Sequence, residues 1–131
     1  MARPASQHPT GLELQILKIL WREGRATVRM VRDALAAGGR ELAYTSVMTV
    51  MNIMARKRYL WRARDGGSFV YRARVEEAAT SRRMLRDLVQ RVFEGSPSAL
   101  VMNLLETSDV DAEELAALRE VVNRKAREKT P

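Results

Sequence analysis

Apolar positions recur at helical spacing through the first part of the chain, give way to two β-prone runs, and return to helical spacing until the charged C-terminus. Thr10-Gly11-Leu12-Glu13 fits a capping box, in which hydroxyl and carboxylate satisfy each other's orphan backbone N–H groups. Leu14, Leu17 and Trp21 then follow at helical spacing, with Ile16 and Leu20 alongside, until Gly24 stops the helix. Thr27 is placed to cap a second, shorter helix carrying Val28, Val31 and Leu35, which Gly38-Gly39 ends. A third helix is predicted over 44–57, with Val47, Val50, Met51 and Met54 forming one buried stripe.

Past the third helix the pattern changes. Residues 59–64 and 69–74 are β-prone runs separated by Asp65-Gly66-Gly67-Ser68, and a glycine pair between such runs signals a hairpin. Their inward face stays open, because Arg62 and Arg64 share parity with Leu60 while Arg72 and Arg74 share parity with Val70. Three helices followed by a basic hairpin describe a winged helix-turn-helix, whose third helix enters the DNA major groove.

From residue 75 onward every segment reads as helix. Residues 75–93 place Ser81, Leu85, Leu88 and Val92 on one seam that Gly95 closes. A short apolar helix follows over 98–106, and Asp111-Ala112-Glu113-Glu114 opens a last one with Leu115, Leu118 and Val122 on one face. Three thin helices bury too little surface to be stable alone, so pairing with a second copy is the natural remedy. The expected organisation is a flexible tail over 1–9, a winged-helix DNA-binding domain over 10–75 and a helical dimerisation domain over 76–131. The fold class is mainly α with a small β wing.

Charge sharpens this picture. Residues 1–75 carry a net charge of +9 and residues 76–131 a net charge of −2, within a chain of 131 residues and overall charge +7. A basic first half joined to a mildly acidic second half suggests a polyanion-binding module followed by something else. The chain has no cysteine, which excludes disulfides, thiolate metal sites and a cysteine nucleophile. A single histidine, His8 in the tail, excludes a multi-histidine metal site. With no Cys/His or Ser/His pairing, no phosphate-cradling loop and no metal-ligand cluster in the sequence, an enzyme is not expected, nor a metal or cofactor. No apolar run approaches the roughly 18 residues of a membrane span, and the polar N-terminus has no secretory h-region, so a cytoplasmic location is expected.

The third helix carries the candidate chemistry. Opposite its apolar stripe lie Thr45, Thr49, Asn52 and Arg56, with Ser46 at the edge and Met48 and Ile53 flanking. Hydroxyls and arginine suit phosphates, an asparagine can bond adenine, and a thioether can meet a thymine methyl. An ordinary solvated face would carry Glu and Lys, and residues 44–55 have neither. In the hairpin, Arg62, Arg64, Arg72 and Arg74 are available to phosphates, and the summed contacts would give strong salt dependence. The aromatics Tyr59, Trp61, Phe69 and Tyr71 are expected to close the core under the hairpin.

These residues resemble the penicillinase-repressor (BlaI/MecI) family of transcriptional regulators from about residue 9 to residue 123. Thr10 to Leu17 with Leu20-Trp21 is similar to the family's opening helix, Thr27 to Val31 to its second, and Leu42 to Thr49 to the start of its recognition helix. Phe69-Val70-Tyr71 sits where the wing's aromatic pair is expected. Gly95-Ser96 with Ala99-Leu100-Val101, then Leu115 with Leu118-Arg119, is similar to the dimerisation region. The resemblance implies a homodimeric repressor on a palindromic double-stranded DNA operator. Bases or adjacent phosphates would meet Tyr44, Thr45, Ser46, Met48, Thr49 and Asn52, and the backbone would be held by Arg56, Arg62, Arg64 and Arg72. Dimerisation would use Leu85, Leu88, Val92, Leu100, Leu104, Leu115, Leu118 and Val122.

In well-known members of the family a membrane-embedded metalloprotease sensor triggers cleavage at an Asn–Phe bond. Asn103-Leu104 occupies that position here, with leucine in place of phenylalanine. Arg58 stands where many relatives have a helix-ending glycine, and the cysteine cluster of copper-responsive relatives is missing. The rival readings are a winged-helix protein-interaction adaptor and a ligand-responsive regulator without proteolytic control.

Overall fold

The computed structural model describes residues 8–130, so the expected tail lies outside the described residues except for His8 and Pro9. Local chemistry sets the helix starts where the sequence places them. Thr10 and Glu13 form the full capping box of α1 (Gly11–Glu23), and Gly24 ends it at φ 84°. The Thr27 hydroxyl accepts from the Met30 N–H and opens α2 (Val28–Ala37). The third helix, α3 (Tyr44–Arg56), begins without a side-chain cap. It ends in two nested backbone bonds, Tyr59 to the Met54 carbonyl and Arg58 to the Ala55 carbonyl. That closure holds Arg58 at φ 68°, the left-handed position that glycine fills without strain.

Strands β1 (Leu60–Asp65) and β2 (Ser68–Ala73) pair antiparallel around a two-residue turn, with Gly66 at φ 64°. Beyond them come α4 (Glu77–Val92), α5 (Pro97–Thr107) and α6 (Ala112–Lys129). The described residues fall into two units that part within α4, between Leu85 and Arg86.

In the first unit one apolar core joins α1, α2, α3 and the hairpin. Ile16, Leu17, Leu20, Val31, Val47, Met51, Met54 and Tyr71 are fully buried in it. Each aliphatic side chain among them contributes roughly 2 kcal/mol by leaving water. Val50 of the predicted stripe is only half-buried, at the edge of that core. Tyr71 ties the layers together, because its backbone N–H and carbonyl both pair with Ala26, ahead of α2, at 2.9 and 3.0 Å. Trp21 Nε1 donates to the Val75 carbonyl at 2.9 Å and holds the chain leaving the hairpin against α1.

A second tie crosses from α1 to the end of α3. Lys57 Nζ reaches both carboxylate oxygens of the buried Glu13, at 3.0 and 3.1 Å. Glu13 is therefore shared between the capping box of α1 and the closure of α3.

The second unit has the same quality of local signals and none of the burial. Ser96 caps α5 ahead of Pro97, and Asp111 caps α6 by accepting from the Glu114 N–H at 2.8 Å. None of the described residues after Leu85 is buried. Leu88, Val92, Met102, Leu104, Leu118 and Val122 are among its exposed apolar side chains.

Candidate nucleic-acid interface

Helix α3 divides as its period predicts. Val47, Met51 and Met54 hold it in the core, while Tyr44, Thr45, Ser46, Thr49 and Arg56 are exposed on the other side. Met48 and Asn52 are half-buried between the two faces. The Thr49 hydroxyl donates back to the Thr45 carbonyl at 2.8 Å, which leaves its oxygen lone pairs directed outward as acceptors.

The hairpin register decides the question that parity left open. Leu60 faces Ala73, Arg62 faces Tyr71 and Arg64 faces Phe69, so these six residues share the face that carries the buried Leu60 and Tyr71. Trp61, Ala63 and Asp65 share the opposite face with Arg72, Val70 and Ser68. The hairpin arginines are therefore two sets, with Arg62 and Arg64 on the α3 side and Arg72 on the outer side.

The aromatics divide as well. Tyr71 enters the core and Tyr59 is half-buried, whereas Trp61 and Phe69 are exposed, which corrects the expectation that all four close the core. Guanidinium groups cover the exposed rings instead: Arg62 and Arg64 lie 4.5 and 5.2 Å from the Phe69 centroid, and Arg74 lies 3.7 Å from that of Trp61. Such cation–π contacts remove apolar ring surface from water while keeping the charge solvated.

Asn52 stands at the junction of helix and hairpin. Its Oδ1 accepts from the Tyr71 hydroxyl at 2.8 Å and from Arg62 Nη1 at 3.1 Å. Burial raises the Tyr71 hydroxyl pKa above its ordinary value against the opposing charge of Arg62, so the group stays protonated as a donor. Burial raises Tyr59 likewise, with Lys57 opposing.

Two open clefts flank this junction. One, of about 590 Å³, is lined by Thr49, Asn52, Ala55, Arg56 and Arg62. The other, of about 610 Å³, lies between the start of α2, α3 and the hairpin tip, with Arg29, Tyr44, Met48 and Phe69 among its lining residues. A third cleft, on the outer hairpin face, includes Arg25, Trp61 and Arg72.

Sequence reasoning missed Arg29, Arg25 and Phe69 as parts of these clefts. For Arg29 a signal existed: a cation in the first turn opposes the helix dipole, and α2 has no acid there to offset it.

The remaining candidates lie along the later helices. Leu85, Leu88, Val92, Leu104, Leu115, Leu118 and Val122 are exposed, and Leu100 is half-buried. Asn103 and Leu104 sit within α5, where the Thr107 hydroxyl donates to the Asn103 carbonyl at 2.7 Å. Among the described residues no helix is long and apolar enough to cross a membrane.

Comparison with known proteins places this geometry in a family. The penicillinase-repressor family profile matches residues 9–124. The transcriptional regulator BlaI of Mycobacterium tuberculosis is 36% identical over 110 residues, covering 82% of this chain and 78% of that protein. The methicillin resistance regulatory protein MecI of Mammaliicoccus sciuri is 23% identical over 113 residues, covering 86% of this chain and 91% of that protein. Among solved structures, a mutant MarR from Escherichia coli complexed with operator DNA superposes with a TM-score of 0.51 at 12% identity, covering 88% of this chain and 74% of that one, which supports the fold. With a winged helix-turn-helix matched to that profile over nearly its whole length, the chain belongs to the penicillinase-repressor family, the BlaI/MecI type of transcriptional repressor.

Proposed function

We propose that the chain acts as a homodimer that binds a palindromic operator and represses by occluding the promoter. One observation carries this: α3 presents Tyr44, Thr45, Ser46, Thr49 and Arg56 outward with no carboxylate, beside a hairpin face bearing Arg62 and Arg64. In that arrangement Tyr44, Thr45, Ser46, Met48 and Thr49 meet base edges or adjacent phosphates. Arg56, Arg62 and Arg64 hold the backbone, and Arg72 reaches it from the outer face of the wing.

The dimer rests on the later helices, with residues 10–75 as the DNA-binding domain and 76–131 as the pairing domain. Helix α5 supports it most directly, because residues 99–105 are apolar on every side except at Asn103 and yet unburied. A helix of that kind belongs in a core. Helix α6 adds a charge argument. Glu113 and Glu114 lie in its first turn, and Arg127 and Lys129 in its last. Antiparallel pairing with the same helix of a second copy brings opposite charges together at both ends, a self-complementary arrangement compatible with a two-fold interface. Two recognition helices are thereby set about one turn of DNA apart, roughly 34–36 Å.

Release by proteolysis at Asn103–Leu104, through a membrane-embedded metalloprotease sensor, belongs to the same proposal. Cleavage there requires α5 to unwind first, since the peptide lies within hydrogen-bonded helix.

Selection from random duplexes at two salt concentrations tests the proposal, alongside sedimentation of the protein alone. A palindrome with half-sites about one turn apart, bound by a dimer, is the expected result. Affinity that collapses with salt and enriches no sequence would leave the wing as a non-specific or protein-docking surface.

A further inference from the structure

We propose that Asn52 is a positioning residue that holds the Arg62 guanidinium of the wing against the recognition helix, and that it does not read adenine. The inference rests on the DNA-binding proposal above and assigns a role within the same site. Bidentate recognition of adenine uses both ends of an asparagine amide, the oxygen accepting from N6 and the nitrogen donating to N7. An amide oxygen has two acceptor positions. Both are filled here, by the Tyr71 hydroxyl at 2.8 Å and Arg62 Nη1 at 3.1 Å. The amide orientation follows from chemistry, because a guanidinium only donates and the atom facing it must be the oxygen.

Each donor is held by further contacts. Tyr71 is fully buried, and its backbone is paired in both directions with Ala26, so its hydroxyl is aimed at α3 by the core itself. Arg62 is the cross-strand partner of Tyr71, and its guanidinium stacks 4.5 Å from the Phe69 centroid. One nitrogen and one face of that guanidinium are thus engaged within the protein. Arg62 also lines the cleft shared with Thr49 and Arg56. A guanidinium ordered in advance loses less side-chain freedom on docking, and its planar fork suits a phosphate. Asn52 therefore acts on DNA through Arg62.

The test uses the full chain, the operator recovered by selection, and a panel of that operator's single-base variants. Asn52→Ala, Arg62→Ala and the double variant are compared with the wild type. Positioning predicts that Asn52→Ala weakens binding about tenfold on every operator alike and lowers the salt slope by about one phosphate contact. The double variant then binds no more weakly than Arg62→Ala alone. Lost discrimination at one A·T pair, or losses that add in the double variant, would overturn the proposal.

A DNA-independent readout separates this inference from the one beneath it. In the wild type, nitrogen-detected NMR is expected to show resolved, slowly rotating Nη signals for Arg62, which Asn52→Ala averages. Averaged signals in the wild type overturn the positioning role whatever the protein binds. Resolved signals without an enriched operator uphold the positioning role and overturn the operator reading. If the orphaned Tyr71 hydroxyl prevents Asn52→Ala from folding, Asn52→Ala/Tyr71→Phe removes that hydroxyl and serves in the same comparisons.

Discussion

The two units of this chain carry equally good local signals and end in opposite states of burial. In the first, side chains from α1, α2, α3 and the hairpin converge on one core around Leu17, Met51, Met54 and Tyr71. In the second, α5 and α6 are capped and regular but bury nothing. The difference teaches that helix formation and tertiary stability are separate achievements. Capping and propensity suffice to write a helix into the sequence, whereas its stability in water comes mostly from packing an apolar face against a partner. The first unit supplies that partner from within, and the second does not.

Breaking the second unit is expected to have the largest effect. Leu118→Asp puts a charge in the proposed pairing face and is expected to convert a dimer into monomers by sedimentation. Operator affinity should fall on the order of a thousandfold, because the second half-site no longer benefits from tethering. Unfolding of the first unit should stay independent of protein concentration.

Next in size is a cavity in the first unit. Met54→Ala is expected to cost about 3 kcal/mol in chemical denaturation, without altering self-association. Loss of dimerisation from this variant would mean that the two units are not energetically separate.

A smaller effect is expected at the tie between α1 and α3. Lys57→Met strands the buried Glu13 carboxylate with only its capping bond and should cost about 2 kcal/mol. Glu13→Gln/Lys57→Met, which removes both charges, should recover part of that loss.

The smallest change sharpens the comparison by stabilising one side of it. Arg58→Gly relieves a left-handed residue at the end of α3 and is expected to raise stability by about 1 kcal/mol in the same denaturation experiment. Unchanged or lower stability would show that the Arg58 side chain contributes more than its backbone conformation costs.

Much of the fold was legible because its signals act over a few residues. Thr10, Thr27 and Asp111 cap their helices with bonds that span only three positions. The stripe of Val47, Met51 and Met54 is a property of helical period, and the exposed face of Thr45 and Thr49 follows from it. The hairpin was visible from its glycine pair, but not its faces. Alternation cannot choose a face when arginine and aliphatic residues share parity on both strands, and only the register opposing Arg62 to Tyr71 chose one.

The expectation that Trp61 and Phe69 close a core failed for a related reason. A sequence announces an aromatic ring as apolar surface, yet three arginines lie close enough to cover these rings where they stand.

What the sequence determined by itself is therefore short-range: helix starts and stops, the hairpin, the two faces of α3, and a basic first half beside an acidic second. Tertiary structure alone decided which groups are already spent. Asn52 reads from sequence as an amide available to a base, and it is committed to partners 10 and 19 residues away. Glu13 reads as half of a capping box, and it also neutralises a lysine 44 residues on. A hydrogen-bonding group's capacity is written in its residue type, but its occupancy depends on which distant donors the folded core brings within about 3 Å.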